Sequence, residues 1–428
     1  MSLATQPGRP RRTKHLARLI TAVAAIGVGA LVISGCSAPA QEEKPSDEGP
    51  RKDLVLNIGT LLPQTGELAH QAPGQEAGVA LAAKDINDAD LGITVNVTYA
   101  DSGDPDNKAY SSSTPVLLNS GVSAIVGTAS SGVTKLVIDE ITGAGVVLIS
   151  PSNTSPDFTT WDDGGLFWRT APSDLLQGEV LGNLIAADGH STLGFIALND
   201  AYGSGLQKVT AETFESAGGK VVGTEYFNVG DTNFAAQIAS VMGQKPDAIA
   251  LISFDQSKTI IPALKSAGFD TSNLYLVDAN LLQYGDLFPD GTMTGAQGTS
   301  PGRPIGSDFE KRLIDVYAEV NNGAVLTEFP YSDASYDAVI LLALAALAAN
   351  STDGAALAAK LQEVSGGSGG GTKVTDFAAG AKIILDGGVV DYDGLSGGIK
   401  FDEAGDPTET AIGISKFDEK NIFHRESD

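Results

Sequence analysis

Val126-Gly127-Thr128-Ala129-Ser130-Ser131-Gly132, a helical run to Ile141, the apolar run Gly145 to Ile149 and then Pro151-Ser152-Asn153-Thr154-Ser155-Pro156 set the architecture of this chain. The apolar stretch Ala124 to Val126 predicts a strand, and Val133, Leu136, Val137 and Ile141 recur at helical spacing before the pattern repeats one unit later. Such an alternation builds a parallel sheet through right-handed crossovers. Both hydroxyl-rich loops then fall at the same carboxyl edge of that sheet. Each loop ends where a helix begins, so unpaired backbone N–H groups and the positive end of the helix dipole point into one crevice. Ser130, Ser131, Ser152 and Thr154 add hydroxyls there, and the crevice suits a carboxylate or another small anion. The same hydroxyls also serve as plain helix N-caps, and the sequence leaves both roles open.

On the N-terminal side, Leu54 to Leu62 reads as a first strand ending at Pro63, and Val79, Ala82, Ala83 and Ile86 mark one face of a helix over Gln75 to Ile86. Strand Ile93 to Tyr99 and helix Lys108 to Leu118 come next, just before the central stretch. After it, Gly165 to Thr170 reads as a strand leading out of the first domain, and Ser173-Asp174 caps a helix to about Ala187. A second set of the same units follows: strands Thr192 to Leu198, Val221 to Tyr226, Ala248 to Ser253 and Leu274 to Val277, with helices between them. Past the Gly/Pro-rich Gly298 to Pro304, three helical patterns (Phe309 to Asn321, Ala334 to Leu347, Gly354 to Val364) lack intervening strands and are expected to return over the first domain. Ser365 to Gly371 reads as a flexible connector, and Val389 to Phe401 and Ala411 to Phe417 as two closing strand runs. The fold class is α/β, two doubly wound βαβ domains joined by three crossovers.

The chain has 428 residues, 42% hydrophobic and 6% aromatic, and a net charge of −26. Two ordinary domains accommodate that length. No basic patch interleaved with aromatics occurs in the folded part, which argues against nucleic acid as a partner. Residues 1–35 read as a lipoprotein signal peptide: Arg9, Arg11, Arg12, Lys14 and Arg18 precede an apolar stretch, Leu19 to Ile33, too short for a comfortable membrane span. Ile33-Ser34-Gly35-Cys36 resembles a bacterial lipobox, with Cys36, the chain's single cysteine, as the lipidated residue. Residues 36–52 are rich in Pro, Glu and Ser and read as a tether. The expected lobes are 53–172 with 300–405, and 173–299 with 406–428. The expected location is extracytoplasmic, lipid-anchored to the outer face of the cytoplasmic membrane.

Catalytic and metal motifs do not emerge. His15, His70, His190 and His424 lack metal-ligand spacing, and neither a Walker A pattern nor a Gly-x-Gly-x-x-Gly after a strand is present. The Ser-containing Gly366-Gly367-Ser368-Gly369-Gly370 matches a nucleophile-elbow pattern without its strand and helix. Asp101 to Asp106 and Asp391-Tyr392-Asp393 resemble parts of calcium loops but read as solvated turns. The reading is therefore a binding protein with no metal and no cofactor, and not an enzyme.

Ile58-Gly59-Thr60 with Thr65-Gly66, Ala83-x-Asp85-Ile86-Asn87, Val126-Gly127 with Ser130-Ser131, Ile149-Ser150-Pro151 with Thr154 and Pro156, Trp168-Arg169-Thr170, Tyr202-Gly203, Tyr336-Asp337-Ala338 and Asp391-Tyr392-Asp393-Gly394 stand in an order that resembles the Leu/Ile/Val-binding family. These are type I periplasmic-binding-fold proteins that deliver ligands to ABC importers. The resemblance implies that Ser130 and Thr154 hold an amino acid's carboxylate, that the Ser152 carbonyl helps hold its ammonium, and that Tyr202, Phe254 and the acidic Asp278 face it from the other lobe. Read from the residues alone, Tyr202 also suits a core or cap position, Phe254 a packed aromatic and Asp278 a turn acid. Relatives often carry an aromatic after the first strand, where this chain has His70-Gln71, so Gln71 implies a more polar side-chain pocket. The resemblance implies a monomer that closes around an amino acid, branched-chain or a related amide or zwitterion, and presents it to a membrane permease. Urea, short amides and aromatic acids remain open as ligands, and a sensor of the same fold, or an extracellular enzyme, as alternative roles.

Overall fold

A computed structural model describes residues 53–427. The signal segment 1–35, the tether 36–52 and the lipidation candidate Cys36 lie outside the described residues. The first sheet comprises β1 (Leu54–Leu62), β2 (Ile93–Asp101), β3 (Ala124–Gly127), β4 (Val147–Ser150) and β5 (Phe167–Arg169), in the order β2-β1-β3-β4-β5 with all pairs parallel. Helices α1 (Ala72–Ala89), α2 (Tyr110–Asn119) and α3 (Ser131–Gly143) link these strands. The central stretch is thus β3-α3-β4 with its two flanking loops, as its apolar periodicity requires. Gly127 turns the chain off β3 at φ +141, and a Cβ there would stand 2.3 Å from the Leu61 carbonyl oxygen. Only glycine fits that approach.

After α4 (Asp174–Ala187), capped by Ser173, the second sheet begins. It contains β6 (Thr192–Leu198), β7 (Lys220–Phe227), β8 (Ala248–Ile252), β9 (Leu274–Val277), β10 (Gln297–Pro301), β13 (Ile412–Phe417) and β14 (Phe423–Ser427), ordered β14-β13-β10-β9-β8-β6-β7. The strands from β10 to β7 run parallel, connected in part by α5 (Ala201–Ser216), α6 (Ala235–Gly243) and α7 (Ser257–Ser266), while β13 and β14 pair antiparallel. Each sheet has its own buried core. Helices α8 (Ser307–Val320), α9 (Ser332–Ala349) and α10 (Gly354–Val364) do return to the first core, where α9 is buried almost all round against α1 and the β1, β3 and β4 residues.

Several expectations require correction. The Ser365 to Gly371 stretch is no loose connector at its start: Ser365 is buried, its Oγ accepts the Phe401 N–H, and a Cβ on Gly367 would stand 2.0 Å from the Phe401 carbonyl. Of Val389 to Phe401 only β12 (Val390–Tyr392) is a strand, paired in parallel with β11 (Thr372–Val374) across a helix the sequence does not announce, α11 (Phe377–Leu385). Asp391 and Tyr392 are buried rather than a solvated turn. Strand β10, Gln-Gly-Thr-Ser-Pro, carries no apolar alternation; its neighbours β9 and β13 define it.

Arg169 at the end of β5 shapes the second hydroxyl-rich loop. Fully buried, it donates from Nε and Nη2 to the Asp406 carboxylate at 2.6 and 2.7 Å, and from Nη1 to the Ser155 carbonyl at 2.7 Å. A bidentate guanidinium–carboxylate pair fixes direction as well as distance. The Thr154–Thr159 turn is thereby tied to the crossover that carries Asp406.

Candidate functional site

The two hydroxyl-rich loops meet the second sheet's edge at one cavity, lined by Leu68, Gln71, Ala129, Ser130, Ser131, Ser152, Tyr202, Phe254, Asp278 and Ala279. Its free volume is about 10 Å³, room for roughly one water molecule. Of the eight residues proposed from sequence, Ser130, Ser131, Ser152, Gln71, Tyr202, Phe254 and Asp278 come together here, and Thr154 does not line the cavity.

On the first-lobe side, Ser130 is the N-cap of α3: its Oγ accepts the Val133 N–H at 3.3 Å, so the cap role is real and coexists with a place on the cavity wall. Ser131 Oγ accepts the Ser155 N–H, joining the two loops. Ser152 Oγ accepts from Gln75 Nε2 at 3.1 Å, and Gln75 also donates to Gln71 Oε1 at 3.2 Å. Thr154 gives its hydroxyl proton to Asp174 Oδ2 at 2.8 Å. A hydroxyl has one proton, so Thr154 as placed cannot also donate to a ligand carboxylate through that group.

On the facing side, Tyr202 and Phe254 stack with ring centroids 5.8 Å apart. Asp278 opens a short 3₁₀ turn after β9, and its carboxylate also gathers donors from afar: its Oδ1 accepts the Tyr202 hydroxyl at 2.7 Å and Gln177 Nε2 at 3.1 Å, and its Oδ2 accepts the Tyr331 hydroxyl at 2.5 Å. Burial raises the Asp278 carboxyl above the ordinary aspartate range, against the pull of these donors.

Four contributors are not signalled by the sequence. Asp174 is fully buried, and its Oδ1 has no hydrogen-bond partner among the described residues. Desolvation, and then the nearby Asp278 charge, drive its carboxyl well above the usual value. Asp200, the N-cap of α5, accepts the Gly203 N–H through Oδ1 while Oδ2 is unpartnered among the described residues, and burial pushes its carboxyl up to about 6. A Cβ at Gly132 would stand 3.0 Å from that Oδ2, so the carboxylate abuts the first loop from the opposite lobe. Gln177 and Tyr331 complete the shell around Asp278 from positions more than fifty residues away in sequence. No local pattern signals such convergence; only the Ser173 cap hints that Asp174 opens a helix at this edge.

The arrangement is electrically divided. One wall offers hydroxyls and a helix N-terminus, which favour an anion; the other presents the buried Asp278 carboxylate, which favours a cation. A small zwitterion satisfies both walls. Fold and site together define a two-lobed ligand-binding protein. A family profile described as periplasmic binding protein matches residues 55–397, and the chain belongs to that family.

Among curated relatives, the chain is 33% identical over 192 residues to a leucine-, isoleucine-, valine-, threonine- and alanine-binding protein of Pseudomonas aeruginosa, covering 44% of this chain and 50% of that relative. It is 26% identical over 386 residues to the chemotactic signal transduction system substrate-binding protein BasB of Halobacterium salinarum, covering 87% of this chain and 89% of BasB. Among solved structures, the leucine-binding protein LivK of Thermotoga maritima superposes with a TM-score of 0.68 at 19% identity over 87% of this chain and 98% of that one. The substrate-binding protein LivJ of Streptococcus pneumoniae, in complex with isoleucine, gives 0.67 at 22% over 87% of this chain and all of that one. These two likenesses place the fold: the α/β type I periplasmic-binding architecture.

Proposed function

We propose that this protein is the extracytoplasmic substrate-binding component of an ABC importer: it closes around a free amino acid or close zwitterionic analogue and presents it to a membrane permease. The observation that carries the reading is the pairing, across one cavity, of the Ser130–Ser131 helix N-terminus with the buried Asp278 carboxylate. Ser130 and Ser131 receive the carboxylate together with backbone N–H groups, Asp278 receives the ammonium, and Tyr202, Phe254 and Gln71 border the side chain. The lobes, 53–172 with 300–405 and 173–299 with 406–428, move as bodies about the crossovers, by the hinge closure through which periplasmic binding proteins enclose their ligands. Closing excludes water and strengthens each polar contact. Cys36 carries the lipid that holds a monomer to the outer face of the membrane; the mass of protein extracted from membranes, with or without acyl chains at Cys36, decides that point.

A ligand that binds only the folded state raises the melting temperature. A thermal-shift screen of the proteinogenic amino acids and short amides should give a rise of several degrees for a small chemically related set. A flat response across the whole panel would overturn the amino-acid reading. BasB, a chemotaxis component by name, aligns over most of this chain and supports a second reading, a sensor that hands its closed form to a receptor. Binding is common to both; the membrane partner recovered by crosslinking separates them.

A further inference from the structure

Beside the zwitterion cavity lies a much larger chamber of about 460 Å³ at the crossovers, and Gln71 and Asp278 line both. That volume is in the range of whole ligand pockets. Its walls include Leu281, Ile305 and Phe329, and its charged groups are unevenly placed. Asp333, at the start of α9, is only 7% exposed, lines the chamber, and accepts the Ala334 N–H through Oδ1 at 2.9 Å; among the described residues no cation pairs with it. Asp278 faces the same space, and Glu310 and Glu328 stand nearer the solvent. Two basic groups line the chamber as well: Arg303, which is exposed, and the half-buried Arg425, which directs Nη2 to the Gly302 carbonyl at 2.6 Å. His70, also on the wall, lies 3.4 Å from Asp255, and burial lowers its tendency to protonate.

We propose that this chamber is the side-chain subsite for an amino acid with a cationic side chain, Asp333 receiving the distal charge and the apolar walls taking the methylene stem. This rests on the amino-acid reading above and narrows it. A long aliphatic stem with a charged tip is the shape that buries its carbons and keeps its head on a polar partner. A second carboxylate on the ligand would instead be set beside Asp278 and Asp333. An aliphatic side chain would leave the Asp333 carboxyl buried without a counter-charge. Burial, and then Asp337, raise that carboxyl to about 7, and a cation alongside would return it to the ionised form.

Isothermal titration with lysine, Nε-acetyl-lysine, leucine and glutamate tests this on the wild-type protein. Lysine should bind at least tenfold more tightly than Nε-acetyl-lysine and leucine, with glutamate weakest. In Asp333→Asn the lysine-to-leucine affinity ratio should fall at least fivefold, and Glu310→Gln, on the half-buried wall, should lower it in the same direction if Asp333→Asn proves too unstable to titrate. Leucine binding as tightly as lysine, or a ratio unmoved by both substitutions, overturns the subsite and leaves the amino-acid reading standing. Failure of all four to bind overturns the subsite, and only a flat response across the full thermal-shift screen removes the amino-acid reading with it.

Discussion

Asp337 and Asp174 are both fully buried carboxylates on helices of the same chain, and they are treated in opposite ways. Asp337, within α9, accepts the Tyr392 hydroxyl at 2.7 Å and the Leu395 N–H at 3.0 Å through Oδ1, and the Ser396 N–H and hydroxyl at 2.8 and 2.6 Å through Oδ2. Both oxygens are filled, and the Tyr392–Ser396 loop is pinned to the helix. Asp174 has one oxygen bonded to Thr154 and the other bare. Desolvating an ionised oxygen without a partner is costly, and burial accordingly drives the Asp174 carboxyl well above its usual value. Asp278 stands between the two: three side-chain donors reach it, from Gln177, Tyr202 and Tyr331, and the Ala279 N–H lies beside them.

Removing each acid in turn tests the contrast most severely. Asp337→Ala strands the Tyr392 hydroxyl and the Leu395 and Ser396 donors inside the protein and should cost about 3–5 kcal/mol of stability, the range for breaking a buried charged network. Urea unfolding measures it, and a loss under about 1 kcal/mol, the size of an ordinary substitution, would dissolve the distinction. Asp278→Ala strands the Tyr202 hydroxyl and Gln177 and should cost about 1–3 kcal/mol of stability, and it should weaken the ligand selected by the screen by about 10²–10³-fold, since a ligand ammonium would lose its counter-charge. Wild-type affinity in calorimetry would take Asp278 out of the site.

The last test is of the dependence of stability on pH. Asp200 titrates near 6 and Asp333 near 7, both raised from an unfolded value near 3.8 mainly by burial. The folded state therefore holds these protons more tightly than the unfolded chain. Their stabilising contribution is complete below about pH 3.8 and is lost as pH rises through 6 and 7, at up to about 1.4 kcal/mol per pH unit for each group within that window. Without ligand, the melting temperature should climb as pH falls from about 8 to about 5, and the slope should flatten in Asp200→Asn. A melting temperature that falls steadily over that interval would contradict the account.

Much of the fold and part of the site are legible in the sequence. The two hydroxyl-rich loops after β3 and β4 and the second series of strands and helices follow from local periodicity, whereas Tyr202, Phe254 and Asp278 are pointed to by the family resemblance, since their residues alone leave core, packed-aromatic and turn positions open. What the sequence hides is set by distance along the chain. Gln177, Tyr202 and Tyr331 converge on one carboxylate from three separate segments, and Asp174 reads in sequence as an ordinary first-turn acid. Strand β10 and helix α11 are hidden for the related reason that their neighbours in space, not their own residues, specify them. Thr154 shows the opposite error: its position in the loop points to the ligand, while its hydroxyl is committed to Asp174.

In the proposed closure, the contact between the Ser155–Pro156 turn and α5 would limit how far the two halves approach. The Ser155 hydroxyl reaches the Ala201 carbonyl at 2.9 Å, and a methyl group placed on Gly205 would stand 2.8 Å from the Pro156 ring. Pro156 rests on the bare backbone of α5 as on a mechanical stop, so the end of the stroke is set by a residue with no side chain. Variation at that single position would alter the fraction of molecules fully shut, and with it the apparent grip on any cargo, while every group that touches the cargo stays the same.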